Sequence, residues 1–238
     1  MTLNCDLGER GVAHPVDVVL VGLADVANIA CGGHAGDATS VRFYRDLAEL
    51  KGVAVCAHLS YPDRDGFGRS HVELPVERLL ASLDEQKRLL EDISMVKLHG
   101  ALYNESCSTP SLAAALAEWM RTRGVASVLT MPLSELASRA TEAGLRVISE
   151  AFVERRYRLS PEGGKLVLVD RSREGAVIRD LEAALEQARV IVLEGRVLDE
   201  EGLWRALRAE TLCIHSDSPI ALELARRVRA LLDGVGAP

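Results

Sequence analysis

The chain has no surplus of positive charge: 28 lysines and arginines face 35 aspartates and glutamates, for a formal net charge of −7 over 238 residues. With no basic excess to neutralise phosphates, nucleic-acid binding is not expected. No apolar run approaches the roughly 18 residues that a membrane-spanning helix requires. The N-terminus enters a strand-like run with no basic stretch or apolar segment of an export signal ahead of it, so residence in the cytoplasm is expected. The five cysteines (Cys5, Cys31, Cys56, Cys107, Cys213) are odd in number and lack CxxC spacing. That argues against a disulfide framework and against a zinc–thiolate site. Four of them lie in or just after apolar runs, where a thiol packs as a small hydrophobe; a nucleophilic cysteine near His58 or His215 is the weaker alternative. There is no Walker A loop, GxGxxG fingerprint, HExxH helix or GxSxG elbow. Linkers, low-complexity tracts and internal repeats are missing as well, which points to one domain over residues 1–238.

What the sequence does contain is an alternation of strand and helix patterns. Apolar runs near residues 2–5, 26–30, 53–57, 95–98, 126–130, 145–149 and 211–214 read as about seven parallel strands. Helical spacing separates them near 38–51 (capped by Asp37), from Pro75 onward, and near 111–123, 133–143, 180–194, 199–208 and 218–233. Such alternation argues for βαβ units with right-handed crossovers. Residues 157–177 break the rhythm: Gly163-Gly164, between Tyr157-Arg158-Leu159 and Lys165-Leu166-Val167-Leu168-Val169, predicts a small appended hairpin. Alternation of faces along a strand puts Asn4 with Asp6 and Lys97 with His99. In an open doubly wound sheet a mid-strand lysine is buried at heavy cost, whereas the upper lumen of a closed barrel accepts one. The expected fold is an α/β, seven-stranded parallel β/α barrel.

Nearly every strand-like run ends in an acid or a histidine: Asp6, His34, His58, His99, Glu150 and His215. Active sites of parallel α/β folds form at the carboxyl ends of the strands, so the chain reads as an enzyme. Asp6 and Glu9, with Asn4 beside them, are placed to act as base and acid or to bind a metal; the plainer alternative is a helix cap. Asn28 to Asp37, with His34 inside it, joins a strand to a glycine-rich turn and a helix start that suit a ligand anion. The segment His58 to Arg69 is long for a connector and includes Asp63; Arg69 suits a substrate carboxylate, unless it only stiffens the loop by pairing with an aspartate. Lys97 can stabilise an oxyanion and His99 can shuttle protons, with Asn104 downstream. Glu150, Glu154, Arg155 and Tyr157 form a further charged cluster, as do His215 and Asp217.

Taken together, NCDLGE (Asn4–Glu9), ANIACGGHAGD (Ala27–Asp37), AHLSYPDRDGFGR (Ala57–Arg69), VKLHGALYN (Val96–Asn104), EAFVERRY (Glu150–Tyr157) and CIHSDSP (Cys213–Pro219) resemble the LamB/YcsF family, known as the A subunit of 5-oxoprolinase. The likeness runs nearly end to end. It implies a barrel related to glycoside hydrolases and polysaccharide deacetylases, and ATP-dependent opening of 5-oxoproline to L-glutamate with partner subunits B and C. ATP would be used through those partners, in keeping with the missing nucleotide motif. In this reading Asp6 or Glu9 activates water, Lys97 and His99 serve the oxyanion or the leaving nitrogen, and Arg69 holds the substrate carboxylate. The remaining polar residues (Asn4, Asn28, His34, His58, Asp63, Asn104, Glu150, Arg155, Tyr157, His215, Asp217) would bind substrate. The chain departs from the family pattern: Gly33 replaces an aromatic, Leu59-Ser60 replaces Pro-Gly, Leu98 replaces Pro, Glu154 replaces Asp, Ser70 replaces Arg and Ser216 replaces Gly. Two rival readings are a stand-alone metal-dependent amidohydrolase or deacetylase, with Asp6, His34 and His58 as ligands, and a non-catalytic binding protein that has kept the barrel. The residues leave divalent-metal content and homo-oligomerisation open.

Overall fold

The computed structural model describes residues 1–160 and 164–236. Its parallel strands are β1 (Thr2–Leu7), β2 (Val26–Ala30), β3 (Ala54–Leu59), β4 (Met95–Leu98), β5 (Ser127–Thr130) and β6 (Arg146–Phe152). Two antiparallel hairpins follow, β7 (Tyr157–Leu159) with β8 (Leu166–Leu168) and β9 (Arg196–Leu198) with β10 (Trp204–Ala206), before the last parallel strand, β11 (Thr211–His215). β1 pairs with both β2 and β11, and β11 pairs with β6, so the seven parallel strands close into the expected barrel.

Around it lie α1 (Pro15–Val21), α2 (Ala38–Lys51), α3 (Val76–Lys87), α4 (Gly100–Ser108), α5 (Pro110–Thr122), α6 (Glu135–Glu142), α7 (Leu181–Glu194) and α8 (Ala221–Gly236). α2 begins where Asp37 predicts. The Asp37 carboxylate accepts from the backbone of Thr39 and Ser40, and Ser40 Oγ accepts from the Asp37 amide, a reciprocal cap. α1 and α4 are not legible as helices from spacing alone. The helix expected near 199–208 is absent, because Asp199 accepts from the amides of Glu201 and Leu203 and Gly202 takes a positive φ of 77°. Those contacts close a turn between β9 and β10 in place of a helix. Gly163 of the expected first hairpin turn lies outside the described residues; Gly164, with φ 66°, lies within them. No helix among the described residues is long and apolar enough to cross a membrane.

The barrel interior is layered. Outward-facing Leu3, Cys5, Leu7, Ile29, Val96, Leu98 and Val128 join the main apolar core under the helices. Facing inward, Val26, Cys56 and Leu129, with Met95 and Ile148 against them, form a separate apolar plug. Two residues further along four of these five strands the same face turns polar, with Asn28, His58, Lys97 and Glu150. The plug closes the bottom of the barrel, and the polar layer sits at its carboxyl end.

Candidate active site

Lys97 occupies the centre of the polar layer, 2% exposed. Its Nζ lies 2.8 Å from Asp6 Oδ1 and 2.8 Å from Glu150 Oε1. The ammonium donates to Asp6 Oδ1, Asn4 Oδ1 (3.2 Å) and Cys213 Sγ (2.9 Å). Its contact with Glu150 is therefore one of charge, and Glu150 has no aligned hydrogen-bond donor among the described residues. Burial opposes the ammonium form, but the Asp6 and Glu150 carboxylates outweigh it and hold Lys97 well above the usual lysine range. Burial likewise opposes the Asp6 carboxylate, yet the Lys97 ammonium beside it helps hold it well below the usual range. Asn28 braces the group, donating to Asn4 Oδ1 (2.7 Å) and Asp6 Oδ1 (2.8 Å). Burial, with Asp6 behind it, pushes the Cys213 thiol well up, and burial by itself pushes Cys31 up to about 12, so these buried cysteines stay protonated. All five cysteines are free and buried.

A second cluster adjoins the first. His34 and His99 stack, with centroids 3.7 Å apart and planes 1° from parallel, and His58 stands edge-on to both. Glu9 Oε1 lies 3.0 Å from His34 Nε2 and 3.3 Å from His99 Nδ1. Burial lowers the basicity of both rings: well below the usual range for His99, where His34 and His58 add to it, and less far for His34, where Glu9 resists it. Ligand atoms of Glu9, His34, His58 and His99 all fall within 4.8 Å of one another, as do those of Asp6, Cys213 and His215. His34 and His58 thus meet as a candidate metal set, joined by Glu9 and His99; Asp6 reaches only His58 of the pair, at 3.4 Å.

The loop from Ser60 to Ser70 covers this cluster. Asp63 shapes it, accepting from the Gly66 amide, and Arg64 ties it to the carbonyls of Gly32 and Gly36. The loop meets the start of α4 closely: a Cβ on Gly100 would lie 2.2 Å from the Gly68 carbonyl oxygen, and Gly100 has φ 59°. Only glycine fits there. Gly33 and Ser60, two of the departures from the family pattern, face each other. A Cβ at Gly33 would come within 2.3 Å of Ser60 Oγ and 2.5 Å of Gln86 Oε1, so Ser60 and Gln86 fill the space in front of Gly33.

Above the two clusters opens a cavity of about 340 Å³. Asp6, His58, Lys97, His99 and His215 line its floor, Asn104 its wall, and Arg69, Arg155, Arg158 and Arg171 its rim. Asn4, Asn28, His34 and Glu9 stand behind that floor. Tyr157 is fully buried and bonded to the backbone of Phe152, and Asp63 faces its own loop. Asp217 bridges Arg69 and Arg171. Arg155 is different: it is 4% exposed, donates to the Val169 carbonyl, and has no carboxylate partner among the described residues. Burial, then the nearby Arg171 charge, lowers it to about 10.

Glu154 is the residue whose role the sequence pattern hid. Its Oε1 lies 2.6 Å from His215 Nδ1 and accepts from the His215 amide. Nδ1–H therefore points at a carboxylate and Nε2 is left bare on the cavity side, the arrangement of an oriented general base.

Comparison with known proteins agrees with this architecture. The LamB/YcsF family pattern matches residues 1–237. The A subunit of 5-oxoprolinase from Streptomyces griseus subsp. griseus is 39% identical over 99% of this chain and 97% of its own length. Its counterpart from Streptomyces coelicolor is 38% identical over 98% and 96%. The crystal structure of the lactam utilization protein from Thermus thermophilus superposes with a TM-score of 0.83 at 36% identity, covering 99% of this chain and 97% of that one. With a family match over nearly its whole length, this chain belongs to the LamB/YcsF family.

Proposed function

We propose that this chain is the A subunit of an ATP-dependent 5-oxoprolinase and hydrolyses the lactam of 5-oxoproline to L-glutamate. The observation that carries the reading is Arg155, a buried guanidinium with no counter-ion among the described residues, on the rim of a cavity whose floor holds a carboxylate and three imidazoles. A buried unpaired charge is costly, and an anionic ligand removes that cost. The carboxylate of 5-oxoproline fits the requirement, and a guanidinium binds it in two parallel hydrogen bonds. The curated relatives named for 5-oxoprolinase and the solved relative named for lactam utilization support the same substrate class.

The residues divide the chemistry between them. His215, oriented by Glu154, takes a proton from water through its bare Nε2 as the water oxygen bonds to the lactam carbonyl carbon. Asp6 lies 3.9 Å from that nitrogen through Oδ2 and stabilises the imidazolium that forms. When the carbon–nitrogen bond breaks, the ring nitrogen takes the proton back and becomes the amine of glutamate. Lys97 acts through Asp6, since its three N–H bonds are already engaged. An unstrained amide resists such attack; phosphorylation of the lactam oxygen by ATP on the partner subunits, with ADP leaving, supplies a better electrophile. C–N cleavage then leaves a glutamyl acyl phosphate, and a second water releases inorganic phosphate and glutamate.

The test is glutamate release from 5-oxoproline and ATP by the chain alone, the B and C partners alone, and the full mixture. Release in the full mixture only is expected. No release in any mixture, with partners shown to hydrolyse ATP, would overturn the assignment.

A further inference from the structure

We propose that Glu9, His34, His58 and His99 form a binding site for one zinc-class divalent cation, beside the catalytic floor and independent of the identity of the substrate. The case begins with two protons. His58 Nδ1 lies 3.3 Å from the Lys97 carbonyl oxygen, and His99 Nε2 lies 3.0 Å from that of Phe67. A carbonyl oxygen only accepts, so each of these nitrogens carries its ring's proton. A neutral imidazole has one N–H, which leaves His58 Nε2 and His99 Nδ1 bare. These two bare nitrogens face each other at 3.0 Å. Glu9 Oε1, another electron pair, lies 3.3 Å from one and 3.8 Å from the other. Something positive belongs between them.

The spacing selects what it is. A tetrahedral zinc ion with bonds of about 2.0–2.2 Å to imidazole and carboxylate has donor–donor edges of about 3.3–3.6 Å. Four of the six contacts among the donors, 3.0 Å (His34 to Glu9), 3.0 Å (His58 to His99), 3.3 Å and 3.8 Å, bracket that edge. The four groups are buried, and their ligand atoms all fall within 4.8 Å of one another. Three imidazoles favour zinc, cobalt(II) or a similar ion over magnesium or calcium, which prefer oxygen. The carbonyls of Lys97 and Phe67 supply the outer hydrogen bonds that ligating histidines require. Phe67 takes the left-handed conformation, with φ 55°, as it presents its carbonyl to His99. The neighbouring set of Asp6, Cys213 and His215 lacks this logic, because the Lys97 ammonium already sits 2.9 Å from Cys213 Sγ and 2.8 Å from Asp6 Oδ1.

The experiment is metal analysis of the full chain after treatment with chelator, reconstitution with zinc chloride and removal of excess zinc. Cobalt(II) chloride added to the same metal-free protein serves as a spectroscopic probe. One zinc per chain and the intense visible bands of tetrahedral cobalt are expected. His34→Asn and His99→Asn should each weaken zinc binding by more than about 100-fold, beyond the 10–100-fold of an outer-shell change, and Cys213→Ser should leave it unchanged. Wild-type protein that retains no zinc, or a cobalt spectrum of octahedral type, would overturn the proposal even if a histidine variant fails to fold. An additional proton on His58 would then bridge the two rings. Because the readout is bound metal, failure here leaves the lactam reading standing, and failure of glutamate release leaves the metal site standing.

Discussion

Replacing Lys97 with methionine removes the ammonium that faces both Asp6 and Glu150, while keeping most of the side-chain volume. Both carboxylates lie 2.8 Å from the ammonium, and their side chains are 1% and 0% exposed, so water does not take its place. Breaking a buried ion pair by removing one partner costs about 3–5 kcal/mol; Asn28 still donates to Asp6, which favours the lower end. The pH dependence has a definite sign. In the wild type the depressed Asp6 contributes stability that is complete above its ordinary value of 3.8 and lost as pH falls through its folded value. The raised Lys97 contributes stability that is complete below 10.5 and lost as pH rises through its folded value. The wild-type contribution is thus flat from about pH 5 to 8. In Lys97→Met, Asp6 loses a charge that holds it low while burial still opposes its carboxylate, so it takes up a proton as pH falls and the deficit should narrow between about pH 8 and pH 5. Urea unfolding of both proteins at those two pH values measures it. A deficit under about 1 kcal/mol, the scale of an exposed pair, or one identical at both pH values, would refute the buried ion-pair reasoning.

Arg155→Met should raise KM for 5-oxoproline by about 10–150-fold, the worth of a charged hydrogen bond, with unfolding stability unchanged or improved because an unpaired buried cation is gone; steady-state kinetics and thermal unfolding check both. Glu154→Gln should lower kcat by about 100-fold or more with little change in KM, since it removes the carboxylate that orients His215; steady-state kinetics of the reconstituted complex reads the split. Gly33→Ala should cost about 1–3 kcal/mol by overpacking against Ser60 and Gln86, and adding Ser60→Gly should recover part of it, as a double-mutant cycle in urea would show. Asp84 is held low by its hydrogen bonds to Arg123 and then Trp119, against burial. Acid stability should therefore fall as pH drops through its folded value, and Asp84→Asn should flatten that part of the curve, as urea unfolding across the acid range would show.

The barrel was legible because its strands show their inner face. Asn4 with Asp6, and Lys97 with His99, repeat every second residue, and only a barrel lumen receives such groups without stranding them among helices. The strand-end residues Asp6, His34, His58, His99, Glu150 and His215 do converge on the carboxyl end of the barrel. What the sequence hid are contacts that span it. Lys97 meets Cys213, 116 positions away, and Glu154 meets His215, 61 positions away; neither distance has a local signature. Glu9 reads as a partner of Asp6 but turns behind the floor towards the histidines. Asp199 and Gly202 replace an expected helix with a hairpin turn, because two side-chain hydrogen bonds to the backbone outweigh a weak helical pattern. α4 is faint in the sequence because its buried face mixes Ser106 with Ala101, Leu102, Tyr103 and Cys107, which weakens the apolar spacing.

Under the proposed function the lactam opens in this chain's own cavity, on Asp6 and His215, while the partners supply activation. Complementing the partner subunits with wild-type chain or with Asp6→Asn, and following ATP hydrolysis and glutamate release together, tests this directly. Asp6→Asn should abolish glutamate release while the partners still consume ATP. Undiminished glutamate release from the Asp6→Asn complex would contradict it.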